Sequence, residues 1–216
     1  MVLNVEDYLL VMWEYTESFG KVSESDISRR LKISPPTVTE YIRKIEKMGL
    51  VERMQREVRF TKSGKRITIP AVRAHRIAEV FALSVLEVPW EEVHGAVMEL
   101  EHLFSGTYGD NLYKHLGFPE TCPHGNPVSV VGSDSSSSAL TLPEGNYVIK
   151  RIIFEDHDLL KKIADISMLP GSPVKLYKGN PIVLEGENGS LKLSDQESMM
   201  IHLRKQTRKV TYSHRR

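Results

Sequence analysis

The segment from Ser34 to Gly49, with the sequence SPPTVTEYIRKIEKMG, restricts the possible folds more than any other part of the chain. It begins with two prolines after Ser34 and ends in a glycine; proline is tolerated in a first helical turn, and glycine commonly ends a helix. Its apolar residues recur at helical spacing and form one face: Val38, Tyr41, Ile42, Ile45 and Met48. The segment therefore predicts an amphipathic helix from Pro36 to Met48 with a polar, basic outer face.

The neighbouring segments complete a small DNA-binding fold. They predict helices at Val5 to Phe19 and from Ser23 or Ser25 to Leu31, and strands at Leu50 to Met54 and Val58 to Thr61. Two helices, a third, amphipathic helix after a short turn and a basic hairpin are typical of a winged helix-turn-helix. The alternative is a small helical domain whose charges are merely solvated.

The distribution of charge favours DNA binding over that alternative. The net charge of the chain is +1, but the segment from Arg29 to Arg66 holds twelve basic and four acidic residues. The segment from Ile67 to Val130 holds three basic residues, eight acidic residues and five of the eight histidines. This pattern suggests an anion-binding module followed by a cation-binding one. We expect the following basic residues to contact DNA: Arg29, Arg43, Lys44 and Arg56.

The acidic middle of the chain reads as helical. The predicted helices run from Ile67 to Val85, with a kink at Pro70, from Glu91 to Ser105, and from Tyr108 to Leu116. Their apolar stripes are wider than one small winged domain needs, which favours a helical dimer interface. The stretch from Val128 to Leu140 contains GSDSSSS and reads as a flexible linker.

The C-terminal third predicts a small β barrel with one helix. The expected strands are Asn146 to Phe154, Pro173 to Tyr177, Pro181 to Glu185 and Ser190 to Leu193, and the helix is Asp158 to Ser167. The basic end, RKQTRKVTYSHRR, reads as a disordered tail, with a DNA-binding arm as the alternative. No apolar run is long enough to span a membrane, and we expect a cytoplasmic protein.

A group of potential metal ligands lies in the acidic region. In HGAVMELEH, a continuous helix would place His94, Met98, Glu101 and His102 on one face. His75 and Glu79 are one turn apart on the preceding helix, and the single cysteine, Cys122, lies two residues before His124. Imidazole, carboxylate and sulfur together suit a first-row divalent ion and disfavour magnesium and calcium.

Each member of this group also has an ordinary interpretation. His75 and Glu79 are compatible with an exposed helical pair, and Met98 with a core residue. Their joint occurrence favours a metal site. Two other functional classes stay open: a small-molecule or redox-responsive winged-helix regulator in which Cys122 is the sensor, and a metalloenzyme. We expect no enzyme, because the chain lacks a zincin pair, a P-loop and a nucleophile elbow.

The ordered motifs SPPTVTEYIRKIEKMGLVER, TKSGKRI, AHRIAEVF, EVHGAVMELEHLFS, CPHGNP and LPGSPV resemble the diphtheria toxin repressor family over nearly the whole chain. The family contains dimeric, metal-dependent repressors, including iron-dependent regulators and manganese transport regulators. The resemblance implies a mainly helical protein with a small β part. Its expected units are a winged helix-turn-helix at 1–66, a helical dimerisation and metal-binding domain at 67–127, a linker at 128–140, an SH3-like (FeoA-like) barrel at 141–206 and a basic tail at 207–216.

The resemblance also implies two metal sites. The primary ligands would be Asp7, Met98, Glu101 and His102, and the ancillary ligands His75, Glu79 and His94, with Cys122 and His124 joining or replacing members. An acid from the barrel, Asp156 or Asp158, would complete the ancillary site. On the DNA side the matching residues are Ser34, Pro36, Thr37, Thr39 and Glu40.

The sequence departs from the family pattern at the ligands that select the ion. Iron-type members have sulfur at both of the positions of Asp7 and Met98, and manganese-type members have an acid at both. A second manganese-type carboxylate is replaced by Leu10. This chain has one acid and one sulfur at those two positions, which leaves the identity of the ion open, and the carboxylate lost at Leu10 favours iron(II), with manganese(II) as the alternative. Glu40 stands where the toxin repressor has glutamine, so the operator sequence is expected to differ.

We therefore expect a repressor of metal homeostasis whose ion ties Asp7 to the dimerisation region. In this hypothesis the ion fixes the two winged domains of a homodimer at a spacing that matches a palindromic operator. The metal is then a corepressor.

Overall fold

The computed structural model describes residues 4–98, 100–130 and 135–206. Most of the predicted linker lies within this range, but residues 131–134 and the predicted basic tail at 207–216 lie outside it. Within these residues, every helix is too short or too polar to cross a membrane. The predicted fold class is confirmed: helices dominate the first part, and an antiparallel sheet forms the C-terminal part.

The N-terminal part is the predicted winged helix-turn-helix. Its elements are α1 (Val5–Phe19), α2 (Glu24–Leu31), α3 (Pro35–Lys47), β1 (Val51–Met54) and β2 (Glu57–Phe60). The side chains of Asn4, Ser23 and Ser34 cap the three helices by accepting backbone N–H bonds. Gly20 ends α1 at φ 74°, a left-handed conformation that glycine adopts without strain. The predicted boundaries hold to within a residue or two because these caps are local.

The middle part begins as predicted and then departs from the prediction. It contains α4 (Lys62–Ser84), a 3₁₀ turn (Trp90–Glu92), α5 (Val93–Val97), a second 3₁₀ turn (Glu101–Phe104) and α6 (Gly106–His115). The single helix predicted from Glu91 to Ser105 is wrong. Hydrogen bonds of 2.9 Å from Leu100 N to Val97 O and 3.0 Å from Leu103 N to Leu100 O tighten this segment into 3₁₀ geometry.

This break changes the orientation of the predicted ligands. His94 lies on α5, whereas Glu101 and His102 lie on the later 3₁₀ turn, so they do not share one α-helical face with Met98. Gly95 within α5 weakens the helix there, since glycine is a poor helix former.

The C-terminal part is a six-stranded antiparallel sheet with two helices, one more than predicted. Its elements are β3 (Ser137–Ser138), β4 (Gly145–Ile152), α7 (His157–Asp165), β5 (Pro173–Tyr177), β6 (Ile182–Gly186), β7 (Gly189–Leu193), α8 (Asp195–Met200) and β8 (Ile201–Lys205). The hydrogen-bonded order is β3-β8-β4-β5-β6-β7. Among the described residues no strand pairing joins β7 back to β3. The sequence prediction missed α8 and β8, although Ser194 and Glu197 form a capping box at the start of α8.

The C-terminal part packs directly on the winged helix-turn-helix. Phe154, just after β4, lies 4.9 Å from Tyr15 and 5.5 Å from Phe19 between ring centroids. Glu17 on α1 accepts hydrogen bonds from Arg76 on α4 at 2.8 Å and from Arg151 on β4 at 2.7 Å. These contacts fix α1, α4 and β4 around the region in which the candidate ligands meet.

Candidate metal centre

Asp7, Glu101 and His102 meet beside the first turn of α1, and we call these three residues the α1 cluster. Their potential ligand atoms all lie within 4.8 Å of one another. The Asp7 carboxylate is fixed from its other side, where Oδ2 accepts the backbone N–H of Asn4 at 2.6 Å. Its Oδ1 lies 3.3 Å from His102 Nε2. The capping box of α1 therefore leaves one carboxylate oxygen of Asp7 directed at the cluster.

The carboxylates of the α1 cluster are buried, whereas its histidine is open to solvent. Asp7 is 0% and Glu101 is 2% exposed, but the His102 side chain is 31% exposed. Burial raises the pKa of Asp7, an effect that the Asn4 N–H and His102 partly oppose. Asp7 Oδ1 and Glu101 Oε1 are buried and have no hydrogen-bond partner among the described residues. A cation at this position would supply the missing partner.

A larger cluster lies where α4, α5, the loop after α6 and the segment after β4 converge. We call it the interdomain cluster, and its members are His75, Glu79, His94, Cys122, His124 and Glu155. They form two overlapping ligand sets that share both glutamates: His75, Glu79, His94 and Glu155 in one, and Glu79, Cys122, His124 and Glu155 in the other. The two clusters touch, because His75 Nδ1 is hydrogen-bonded to Glu101 Oε2.

The distances within the interdomain cluster are short. Glu155 Oε2 lies 2.6 Å from His94 Nδ1, and Glu155 Oε1 lies 3.3 Å from His124 Nδ1. Glu79 Oε1 is 3.3 Å from His75 Nε2 and 3.4 Å from His124 Nδ1. The two glutamates thus face three imidazoles across a space of atomic size.

The loop that carries Cys122 and His124 is held rigidly. Cys122 N donates to Asn126 O at 2.8 Å, and Gly125 N donates to Cys122 O at 2.9 Å. Gly125 has φ 85°, and a Cβ there would lie 2.3 Å from Lys150 O, so the close approach of this loop to β4 requires glycine. His124 Nε2 lies 3.1 Å from Trp90 O, which directs Nδ1 into the cluster.

Opposite charges govern the ionisation of the interdomain cluster. Burial opposes protonation of His75 and His124, but the nearby carboxylates outweigh it and raise both pKa values well above the usual range. The pKa of Glu155 is correspondingly lowered, since the histidines outweigh its burial. Burial, reinforced by Glu79, raises the pKa of Cys122 to about 12. Without an ion, the thiol therefore keeps its proton at neutral pH.

Unpartnered atoms show that the interdomain cluster suits a cation. Both carboxylate oxygens of Glu79 and Nδ1 of His124 are buried without a hydrogen-bond partner among the described residues. Glu79 and His124 form an ion-pair contact of 3.4 Å but lack hydrogen bonds at these atoms, which is costly for buried groups, and a bound cation would remove that cost. Three imidazoles, one thiol and two carboxylates form a donor set for a first-row transition metal, not for magnesium or calcium.

The structure brings a different acid to the interdomain cluster than the predicted Asp156 or Asp158. Neither Asp156 nor Asp158 belongs to the clusters found among the described residues, and the acid that reaches them is Glu155. Asp156 is occupied as the N-cap of α7, where its Oδ1 accepts the N–H of Leu159 at 3.1 Å, and Asp158 is exposed. The sequence FEDHD offered three neighbouring acids, and only the short connection between β4 and α7 turns Glu155 inward.

The remaining predicted ligands are brought together as two groups. Asp7, Glu101 and His102 form one, and His75, Glu79, His94, Cys122 and His124 belong to the other. Met98 lines a cavity of about 370 Å³ between α1 and α5, together with Leu10 and His94.

The residues predicted to contact DNA lie on the outer surface of α2, α3 and the hairpin. All but one are exposed: Arg29, Ser34, Pro36, Thr37, Glu40, Arg43, Lys44 and Arg56. Thr39 is half-buried and donates a hydrogen bond of 2.5 Å to Glu24 on α2. The buried face of α3 consists of Val38, Ile42 and Ile45, so the helix presents its polar face outward.

Known proteins resemble this chain both in its N-terminal part and in the part that carries most of the candidate ligands. Residues 1–57 match the model of the N-terminal DNA-binding domain of iron-dependent repressors, and residues 61–129 match that of their metal-binding and dimerisation domain. The chain is 30% identical over 205 residues to the iron-dependent repressor IdeR of Mycobacterium leprae (strain TN), which covers 85% of this chain and 89% of that relative.

Two solved structures share the fold over nearly the full length. IdeR of T. acidophilum superposes with a TM-score of 0.85 at 26% identity, covering 94% of this chain and 98% of that one. The manganese regulator SloR superposes with a TM-score of 0.84 at 26% identity, covering 95% and 100% of the two chains.

Proposed function

The chain belongs to the iron-dependent repressor family, and from this premise we propose that it is a metal-dependent transcriptional repressor of metal homeostasis genes. It binds a palindromic operator as a homodimer when it holds a divalent transition metal ion. The observation that carries this proposal is the pair of adjoining clusters of mostly buried ligand atoms, several of which lack a hydrogen-bond partner; one cluster includes Asp7 at the start of the DNA-binding unit.

The proposed ligands follow from the two clusters. Asp7, Glu101 and His102 hold an ion in the α1 cluster, with Met98 as a candidate fourth ligand. The interdomain cluster holds a second ion through its two shared glutamates and the surrounding imidazoles and thiol. When bound, the ion supplies positive charge that neutralises carboxylates which otherwise repel one another.

Asp7 is the residue through which the DNA-binding unit responds. Its carboxylate both caps the first turn of α1 and faces Glu101, so any change in the cluster acts on the start of that helix. A fixed α1 in turn fixes α2 and α3, against which its buried face packs. Metal and DNA binding are then coupled, and the coupling is reciprocal.

The operator is read by α3 and the basic hairpin. The exposed hydroxyls of Ser34 and Thr37 and the basic side chains of the region suit phosphate contacts, and Glu40 lies on the exposed face where it can accept from a cytosine amino group. Within the middle part, large apolar side chains remain exposed and suit a dimer interface: Val85, Leu86, Leu103, Tyr108 and Phe118.

The proposed domains are the winged helix-turn-helix at 1–66, the dimerisation and metal-binding domain at 67–127 and the C-terminal domain at 141–206. A repressor acts on DNA, so we expect the protein in the cytoplasm. The matched family is a repressor family and not an enzyme class.

The proposed ion is iron(II). The curated relative with 30% identity is iron-dependent, and the thiol and imidazole donors favour a transition metal. Manganese(II) is the alternative, because SloR is described as a manganese regulator. A thiol-based redox response through Cys122 fits less well, since this thiol is 3% exposed and its pKa is raised to about 12.

The experiment that tests this proposal selects binding sites from a randomised duplex DNA pool. The full-length protein, stripped with a chelator, is tested alone, with iron(II) under anaerobic conditions and with manganese(II), at fixed salt. We expect a palindrome to be enriched only with metal, and more strongly with iron(II). Equal enrichment without metal would contradict the proposal.

The matched variants are His102→Ala in the α1 cluster and His115→Ala on α6. His115 is exposed and lies outside both clusters, so its loss should leave metal-dependent enrichment intact. His102→Ala and Asp7→Ala should abolish it. A response to thiol alkylation without added metal would instead favour the redox interpretation.

A further inference from the structure

A partly buried ion pair connects the DNA-binding unit to the interdomain cluster. Glu14 on α1 and Arg30 on α2 are bonded twice, with Arg30 Nε to Glu14 Oε2 at 3.0 Å and Arg30 Nη2 to Glu14 Oε1 at 3.1 Å. The two side chains are 17% and 18% exposed. Such a planar, two-bond geometry fixes both partners more firmly than a single contact would.

The same guanidinium contacts two residues of the cluster. Arg30 Nη2 lies 3.0 Å from His94 Nε2 and donates to the backbone oxygen of Glu155 at 3.1 Å. Its other side stacks on Phe154, with 4.6 Å from Cζ to the ring centroid. Arg30 therefore joins α2 to α5 and to the connection between β4 and α7.

The orientation of His94 assigns a distinct role to each ring nitrogen. Nδ1 faces the interdomain cluster, 2.6 Å from Glu155 Oε2 and 3.7 Å from Glu79 Oε1. Nε2 faces the opposite way, 3.4 Å from Glu14 Oε1. A histidine that binds an ion through Nδ1 carries its remaining proton on Nε2, where it needs an acceptor.

We propose that Glu14 and Arg30 are positioning residues that transmit occupancy of the interdomain cluster to the helix-turn-helix. Without an ion, Arg30 donates to His94 Nε2. When an ion takes Nδ1, the ring proton moves to Nε2, where Glu14 Oε1 at 3.4 Å accepts it and so orients that ligand. Arg30 holds Glu14 in place and connects the same unit to α2. This inference rests on the proposed function, because it assumes that His94 is a metal ligand.

Loss of Glu14 and loss of Arg30 are expected to affect metal affinity differently, which distinguishes this role from a purely structural one. Glu14 adds negative charge and an acceptor next to a ligand, so its loss weakens metal binding. Arg30 adds positive charge next to a cation site, so its loss does not weaken metal binding by charge. Its loss should instead separate metal binding from DNA binding.

The first measurement is the affinity of the interdomain cluster for cobalt(II) in the full chain carrying His102→Ala. The titration is monitored by the absorption of the bound cobalt(II). In this background the α1 cluster is disabled. We expect Glu14→Ala to weaken cobalt(II) binding by about 10–100-fold, the usual cost of removing a partner that orients a ligand. Glu14→Gln keeps an acceptor oxygen and should recover most of that loss.

The second measurement is the gain in operator affinity on adding metal, in an otherwise unchanged chain. Such a gain is typically about 5–150-fold, and Arg30→Met should reduce it at least about threefold while cobalt(II) affinity stays equal or rises. Lys162→Met removes an ion pair with Glu197, 2.9 Å away, which joins α7 to α8 in the C-terminal part and lies outside both clusters and outside the DNA-binding unit. It should change neither quantity.

These outcomes keep the two proposals distinct. If the His102→Ala chain bound no cobalt(II), the metal site of the proposed function would fail, and this inference with it. If it bound cobalt(II) and Glu14→Ala bound equally well, or if Arg30→Met kept the full metal-induced gain, only the inference would fail. Equal losses in Arg30→Met and Lys162→Met would also overturn it.

Discussion

The α1 cluster and the interdomain cluster share a hydrogen bond between His75 and Glu101, yet they differ in construction. The α1 cluster has three potential ligands and a histidine that is 31% exposed. The interdomain cluster has six, drawn from α4, α5, the loop after α6 and the segment after β4. His124 there is 0% exposed, and Glu79 is also 0% exposed.

This difference indicates that the two clusters have different roles. An open site with few ligands exchanges its ion readily and suits a sensor, whereas a closed site with many ligands holds its ion and stabilises the fold. Asp7 connects the open site to α1, and Glu155 connects the closed site to the C-terminal part. The α1 cluster is thus the site expected to exchange its ion more readily, and the interdomain cluster the one expected to hold its ion more tightly, to join the parts of the chain and to act on the helix-turn-helix through Glu14 and Arg30.

The largest expected effect is on the stability that a bound ion adds to the folded protein, which should depend on the interdomain cluster more than on the α1 cluster. At about 1,000 times the dissociation constant, an ion stabilises the folded state by about 4 kcal/mol. Glu79→Gln removes a carboxylate that both interdomain ligand sets use, so it should abolish most of the metal-induced rise in thermal unfolding temperature. His102→Ala should keep most of that rise. Calorimetry with and without manganese(II) measures both.

The opposite ranking would break the comparison. If His102→Ala lost more metal-induced stability than Glu79→Gln, the α1 cluster would be the structural site. His115→Ala, on the exposed surface of α6, controls for the general loss of an imidazole.

The second effect concerns pH in the metal-free protein. Because Glu79 and Glu155 outweigh burial, the pKa values of His75 and His124 are raised well above 6.5. A raised histidine pKa contributes stability that is fully present below the unfolded value and is lost as pH rises through the folded value. Each pKa unit corresponds to about 1.4 kcal/mol. The metal-free protein should therefore become less stable as pH rises above 6.5.

Urea unfolding in the presence of a chelator, from about pH 5.5 to about pH 8.5, measures this loss. Saturating metal should reverse the trend, because ligand imidazoles bind the ion in their neutral form. His124→Gln should flatten the metal-free profile, and His115→Ala should leave it unchanged. A metal-free profile that is flat in the unsubstituted chain would show that the interdomain histidines are not held by these carboxylates.

The contrast between the clusters also explains what the sequence could and could not predict. The winged unit was predicted well because its helix ends carry local signals, such as Ser23 and Asp26 at the start of α2 and the prolines at the start of α3. The resemblance to a known family supplied Asp7 as a ligand. Spacing alone could not, because Asp7 is more than ninety residues from Glu101 in the chain.

The errors arose where tertiary contacts override local pattern. The periodicity of residues 91–105 is helical, yet Glu101 and His102 turn toward α1 on a 3₁₀ turn while His94 faces Glu155. Nothing in the local sequence distinguishes Glu155 from the two acids that follow it. The partners that orient it, such as Asn126 at 2.9 Å from Oε1, are distant in the chain.

The smallest expected effect tests which acid belongs to the interdomain cluster. Asp156→Ala removes the N-cap of α7, so it should lower the free energy of unfolding by about 1 kcal/mol and leave cobalt(II) affinity unchanged. Glu155→Gln should instead weaken cobalt(II) binding, because it keeps the side-chain volume but removes a carboxylate 2.6 Å from His94. Chemical unfolding and cobalt(II) titration of the two variants compare neighbours in one short segment. If Asp156→Ala weakened cobalt(II) binding as much as Glu155→Gln, the C-terminal part would contribute through the position of α7 as a whole and not through one ligand.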